Sequence, residues 1–442
     1  MAGVCPAPAT LSSLAAATSP RVHYLLSGTF NTLFLYLLAF SPYTSPPTLR
    51  IHKKYRAEGP HQFIALGEDR KHAYATTWAL PASLSSWEVL EGGRAGLKKT
   101  NTVPISATGS YLTVSPSSLS FTPPGPRIYQ AGGPVAQTFA ADPQTGGFGS
   151  QLQEVVYLDG GVEELNDPKT DKTRVALRYG SHAVDIDPVL QRAYVPHVGR
   201  DSIFVYSFNA DGTLHHLNEV PSHGHKGHEG PRHSIPSKDG EKLYVVTEHT
   251  SYLDVYDILP TSPYLIHSQR LSIIPPSQHP TRPLYRGDTL RLSSDSRRLY
   301  VTTRGKTPAQ RGWVAVFSVS PDGEVVPHEK DGEEGYGALS RFETRNSGGK
   351  ANAIEVFPFW PSFSPSSSSS SSPASSSAGP EGRDWLVLTD DEQGFVSVLE
   401  WRDEWMELRE VASVQLGVNA AEGDEVEEDE EGTGASHAVW LS

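Results

Sequence analysis

The chain has a single cysteine, Cys5, and two methionines among its 442 residues. One thiol excludes a disulfide framework and any cysteine-built zinc or iron–sulfur site. A chain of this size without cross-links fits a reducing cytoplasm. An excess of positive charge is lacking as well: 37 Lys and Arg stand against 51 Asp and Glu, a net charge of −14. Phosphate backbones need concentrated positive charge, so no nucleic-acid partner is expected. Eight of the acidic residues fall in one run from Glu422 to Glu431, and without them the net charge is −6, an ordinary value. Long apolar runs are missing too. The most apolar one, Leu33 to Phe40, has eight residues, whereas a membrane-spanning helix needs about 20. Gly28 and Ser41-Pro42 flank it, so it reads as a buried strand, and no membrane partner is expected. There is no Gly-Xaa-Ser-Xaa-Gly elbow and no phosphate-binding P-loop, which disfavours acyl-serine and nucleotide chemistry.

What is present points to β-structure. Gly (39), Pro (35), Tyr (18) and Phe (15) are plentiful, a composition that suits many short strands joined by turns rather than long helices. A phrase recurs: an apolar strand, a polar turn, then a second strand led by Tyr. It occurs at Ile64–Tyr74, Ala183–Tyr194, Ser234–Tyr244 and Leu290–Tyr300. In each copy the turn-opening residue (Gly67, Asp187, Ser237, Ser293) lies seven before the Tyr, and successive Tyr are 50 and 56 apart from Tyr194 to Tyr300. An alternating strand follows each of the last three copies. Two of these strands end in Asp-Gly, at Asp211-Gly212 and Asp322-Gly323, a strong hairpin signal. About four strands in about 50 residues is the size of a propeller blade. The spacing predicts an all-β chain: a seven-bladed β-propeller closed by its N- and C-terminal strands. Six blades fall at about 61–103, 104–155, 180–220, 230–272, 285–330 and 350–415. The seventh joins residues 22–57 to Ser436–Leu441. Residues 1–20 read as a disordered leader before a single domain over 21–442. The Ser-rich stretch 361–380 and the acidic stretch 421–432 read as flexible insertions.

Residues just before each innermost strand of a propeller gather around its central channel. Those positions hold His182, Arg232 and His233, Arg286, Lys350 and Asn352, and His437. On the fourth-strand side lie Glu248 and Asp390-Asp391. Guanidinium forks match carboxylates, and His moves protons near neutral pH. The set therefore suits a small-molecule polycarboxylate held by Arg232, Arg286 and Lys350. The His-rich stretch from His223 to His233 matches no tetrahedral spacing and carries Lys226 at its centre, so no metal site is expected there. Asp390-Asp391 reads as a turn cap.

The segments His182–Pro188, Gly230-Pro231-Arg232-His233, Leu284–Asp288 and Leu388–Phe395 resemble the seven-bladed lactonase superfamily. The last three are more similar to its fungal 3-carboxy-cis,cis-muconate cyclase branch. The resemblance implies a cofactor-independent cycloisomerase of aromatic catabolism, in the β-ketoadipate pathway. On the matching positions it makes His182 and Glu248 the acid and base candidates and Arg232 and Arg286 the carboxylate clamps. His233, Asn352 and His437 are possible supports. Lys350 stands where the branch often has His. A lactone hydrolase of the 6-phosphogluconolactonase type and a non-catalytic propeller scaffold remain alternatives. The scaffold lacks support from Gly-His or Trp-Asp dipeptides in repeated register. Oligomeric state is left open.

Overall fold

The computed structural model describes residues 22–224, 228–328, 337–358, 382–417 and 433–442. The leader 1–20, both insertions and residues 225–227 of the His-rich stretch lie outside them. The described strands form seven antiparallel sheets, six of them wound in chain order from the innermost strand outward. Blade 1 is the composite: Ala435–Trp440 is innermost and pairs with His23–Thr29, followed by Phe34–Ser41 and Thr48–Arg56. The apolar run thus forms a buried strand of blade 1. Ile64–Leu66, Tyr111–Val114, Asp185–Asp187, Pro231–Pro236, Tyr285–Leu292 and Ile354–Val356 are the innermost strands of blades 2 to 7. A fifth strand, Ser340–Glu343, joins blade 6 through Trp313–Val319.

The recurring Tyr has a structural cause. Tyr74, Tyr194, Tyr244 and Tyr300 lie in the second strands of their blades and are fully or almost fully buried. Tyr244 donates its hydroxyl proton to the Gly323 carbonyl at 2.7 Å, and Tyr300 donates to Asp384 Oδ2 at 2.6 Å. Tyr129 of blade 3 does the same to the Gly212 carbonyl at 2.7 Å. A ring that fills the gap between blades while its hydroxyl finds a partner on the next blade satisfies both burial and hydrogen bonding. Gly212 and Gly323 hold positive φ angles of 87° and 77°, which is why Asp-Gly closes those hairpins.

The core is divided among the blade interfaces. Tyr300, Val314 and Val316 of blade 6, for example, pack on Ile354, Leu386, Leu399 and Trp401 of blade 7. Glu248 and Asp390-Asp391 follow second strands, Lys242–Thr247 and Arg383–Thr389, not fourth strands as their sequence context suggests. Second strands exit at the same end of the blade at which innermost strands enter, so both sets of residues meet at one mouth of the ring. Among the described residues no helix is long and apolar enough to cross a membrane.

Candidate active site

A cavity of about 230 Å³ opens at this mouth, lined by His182, Arg232, Glu248, Arg286 and Lys350 together with Gln62, Trp78, Arg174, Arg178, Arg304 and others. Five of the eight residues singled out in the sequence therefore share one wall. Arg232 is the hub. Its Nη2 lies 2.7 Å from Asp288 Oδ1, and its Nε donates to the same oxygen at 3.1 Å. Its Nη1 reaches His182, 2.6 Å from Nε2 and 3.1 Å from Nδ1. Glu248 Oε1 receives Arg286 Nη1 at 3.1 Å and Arg304 Nη2 at 3.2 Å. Its Oε2 lies 3.8 Å from Arg232 Nε.

Burial sets the protonation states. His182 is held well below the usual imidazole range, first by desolvation and then by the Arg232 cation beside it. In the free protein it is neutral. Burial by itself would raise the Glu248 carboxyl, but the Arg304, Arg232 and Arg286 guanidinium groups outweigh it and hold the group at about 2. Glu248 is thus a carboxylate at neutral pH, able to accept a proton or anchor cations but not to donate. Arg232, Arg286, Arg304, Arg174, Arg178 and Lys350 line the space. Against them stand Glu248, Asp288 and Asp391, the last paired to Lys350 Nζ at 3.0 Å. Six cations against three carboxylates leave an excess of three positive charges.

The three possible supports do not line the cavity. His233 is buried behind His182, ring centroids 5.2 Å apart, with Tyr111 at 5.1 Å. Side chains alternate along a strand, so Arg232 facing the mouth turns His233 inward. His437 stacks on Phe63 at 3.9 Å, and its Nδ1 lies 3.4 Å from the donating Ile64 N–H. Asn352 serves the site from behind: its backbone N–H donates to Asp288 Oδ2 at 2.8 Å and its amide to the Thr303 carbonyl at 3.0 Å.

Sequence reading missed Arg304, Asp288, Trp78, Gln62, Arg174 and Arg178. A signal existed for two of them. Trp78, Glu248 and Arg304 all stand four residues after a blade Tyr (Tyr74, Tyr244, Tyr300), so one member of the series marks the others. Arg174 and Arg178 lie in the long connection between blades 3 and 4, outside any repeat. Among the described residues no group of three or more His, Cys, Asp or Glu side chains is placed to hold a metal ion.

The chain is similar to known proteins. The sequence model of the family described as "Lactonase, 7-bladed beta-propeller" matches residues 49–337. A protein named muconate cycloisomerase 1 from Cutaneotrichosporon cutaneum is 28% identical over 389 residues, covering 87% of this chain and 92% of that one. The carboxy-cis,cis-muconate cyclase of Neurospora crassa is 23% identical over 252 residues, covering 54% of this chain and 59% of that one. Among solved structures, the periplasmic gluconolactonase of Pseudomonas aeruginosa superposes with a TM-score of 0.63 at 15% identity, covering 96% of this chain and 99% of that one.

Proposed function

Because the chain belongs to the seven-bladed β-propeller lactonase family, we propose that it is a cycloisomerase that closes 3-carboxy-cis,cis-muconate, a dienoic triacid, to a lactone. One observation carries the reading: a surplus of three positive charges lines a cavity together with the buried imidazole of His182. A trianion matches that surplus in full; a phosphorylated sugar lactone, carrying about −2 at neutral pH, matches it in part, and a neutral lactone leaves it standing. The names of the two fungal relatives support the same substrate class.

In the proposed reaction one carboxylate oxygen attacks the carbon β to a second carboxyl, forming the ring C–O bond. The displaced π electrons move onto that second carboxyl and return to the α-carbon as it takes a proton. The trianion plus one proton thus becomes a dianionic lactone, and no other atom enters or leaves. Charge grows on the far carboxyl as the bond forms, so desolvated guanidinium donors aimed there stabilise the transition state more than the ground state. Arg286 and Arg304 supply those donors. Arg232 is occupied by Asp288 and His182, and its role is to orient the imidazole. An anion entering the cavity opposes the cationic field that depresses His182, so the imidazole gains its proton as substrate binds and delivers it as general acid. Glu248, already ionised, holds Arg286 and Arg304 in place.

Incubation with 3-carboxy-cis,cis-muconate, followed by loss of diene absorbance and product identification, tests the reading. Turnover that disappears in His182→Asn supports it. Absence of turnover, together with hydrolysis of a sugar lactone, would replace it with the lactone-hydrolase alternative.

A further inference from the structure

The cations of the cavity divide into two kinds. Arg232, Arg286, Arg304 and Lys350 each meet a carboxylate of the protein. Arg174 and Arg178 do not: among the described residues neither lies within ion-pairing distance of an acid. Arg174 instead sits 5.6 Å over the Trp78 ring, a cation–π contact that orients a guanidinium without neutralising it.

Acidic groups are abundant on the same connection, yet three of them are turned to its own backbone and Asp159 is paired to Arg200 at 2.8 Å. Glu164 accepts from the Gly160 N–H at 2.8 Å, Asp167 from the Lys169 N–H at 2.8 Å, and Asp171 from the Thr173 N–H at 2.9 Å and its hydroxyl at 2.7 Å. The connection is also pinned. Leu165 packs with Ala107 and Val135, the Thr108 N–H donates to the Lys172 carbonyl at 2.9 Å, and Ser181 bridges to Gly133. Gly180 crosses Gly133 so closely that a Cβ at 180 would stand 2.1 Å from its carbonyl oxygen. Between these anchors Arg174 precedes a single 3-10 turn, Ala176–Arg178, and both arginines, exposed to solvent, line the cavity.

We propose that Arg174 and Arg178 form a distal carboxylate subsite that selects a triacid over a diacid. This deepens the reading above and rests on it for the identity of the reacting molecule. Two carboxylates of the ligand meet Arg286 and Arg304. The third meets the two uncommitted guanidinium groups on the connection. With that contact the ligand is held at three points in the cavity that His182 lines.

Binding of unreactive acids isolates this claim from the chemistry. Calorimetric titration of the full chain compares tricarballylate, with three carboxylates, and glutarate, with two. The wild-type protein is expected to bind tricarballylate roughly tenfold or more tightly than glutarate, the scale of one charge-assisted contact. Arg174→Ala/Arg178→Ala should remove that preference while changing glutarate affinity less than twofold. Arg174→Lys/Arg178→Lys should restore part of it, since charge returns without the planar fork. Equal weakening of both acids, no weakening, or failure of the wild-type protein to bind tricarballylate each overturns the subsite. A selective loss in a protein that does not cyclise muconates leaves the subsite standing and removes only the cycloisomerase assignment.

Discussion

Arg304 and Glu248 hold the same position in adjacent blades, four residues beyond a buried tyrosine, and their side chains meet at 3.2 Å. Two neighbouring blades thus place opposite charges at equivalent points of the ring, and the pair ties their exits together. Glu248 Oε1 also takes Arg286, so the carboxylate is shared between two guanidinium groups that each keep further N–H donors for a ligand.

Arg304→Ala is expected to lower kcat/KM on 3-carboxy-cis,cis-muconate about a hundredfold, the scale seen when one donor to a developing oxyanion is removed. Arg304→Lys should recover only part, because a point charge cannot bridge Glu248 and a substrate carboxylate at once. Steady-state kinetics decide it, and unchanged kcat/KM in the alanine variant excludes Arg304 from the chemistry.

Glu248 links stability to acid. Its folded-state pKa of about 2 lies below the ordinary glutamate value of 4.5, so the carboxylate's contribution is present above about pH 4.5 and is lost as pH falls toward 2. Glu248→Gln should reduce unfolding free energy by about 3 kcal/mol at pH 6. The gap to wild type should narrow steadily by pH 3. Urea midpoints at the two pH values test this, and a gap of constant size contradicts it.

His182 predicts proton uptake. Burial and Arg232 keep it neutral near pH 6.5 in the free protein, and an anion in the cavity raises its affinity for a proton. Calorimetric binding of tricarballylate at pH 6.5, in buffers of different ionisation enthalpy, should show protons taken up. His182→Asn should abolish most of that uptake. Buffer-independent heats in the wild-type protein would rule the mechanism out.

Gly287 lets blades 5 and 6 touch. A Cβ there would stand 2.2 Å from the Thr247 carbonyl oxygen and 2.7 Å from Val246 Cγ2. The Gly287 N–H donates to the Glu248 carbonyl at 3.0 Å, so neither backbone can retreat without losing that bond. Gly287→Ala should destabilise the protein by at least about 2 kcal/mol. It should also impair turnover, since Arg286 and Glu248 flank the contact; wild-type stability by urea unfolding would refute the close approach.

The ring was legible because its constraints are local and repeated. A Tyr seven residues beyond a turn, and Asp-Gly at a hairpin, are dictated by strand spacing, by burial of the ring and, at Tyr244 and Tyr300, by a hydroxyl partner on the next blade. Glu248 and Arg232 could be picked out for the same reason: phase within a repeat fixes direction. That rule failed where phase was read too coarsely. Arg304 shares the phase of Glu248 and lines the cavity, whereas His233 is one residue out of step with Arg232 and does not. Arg174 and Arg178 had no phase at all. Their placement depends on Gly180 crossing Gly133, a contact between distant segments that no periodicity announces.

The innermost place in blade 1 belongs to Ala435–Trp440, beside His23–Thr29. As the polypeptide leaves the ribosome, the earliest blade to emerge must therefore wait, with its central edge bare, until residues 435–440 have been made. The ring fastens like a buckle, in one step, and everything gathered at its mouth depends on that late clasp.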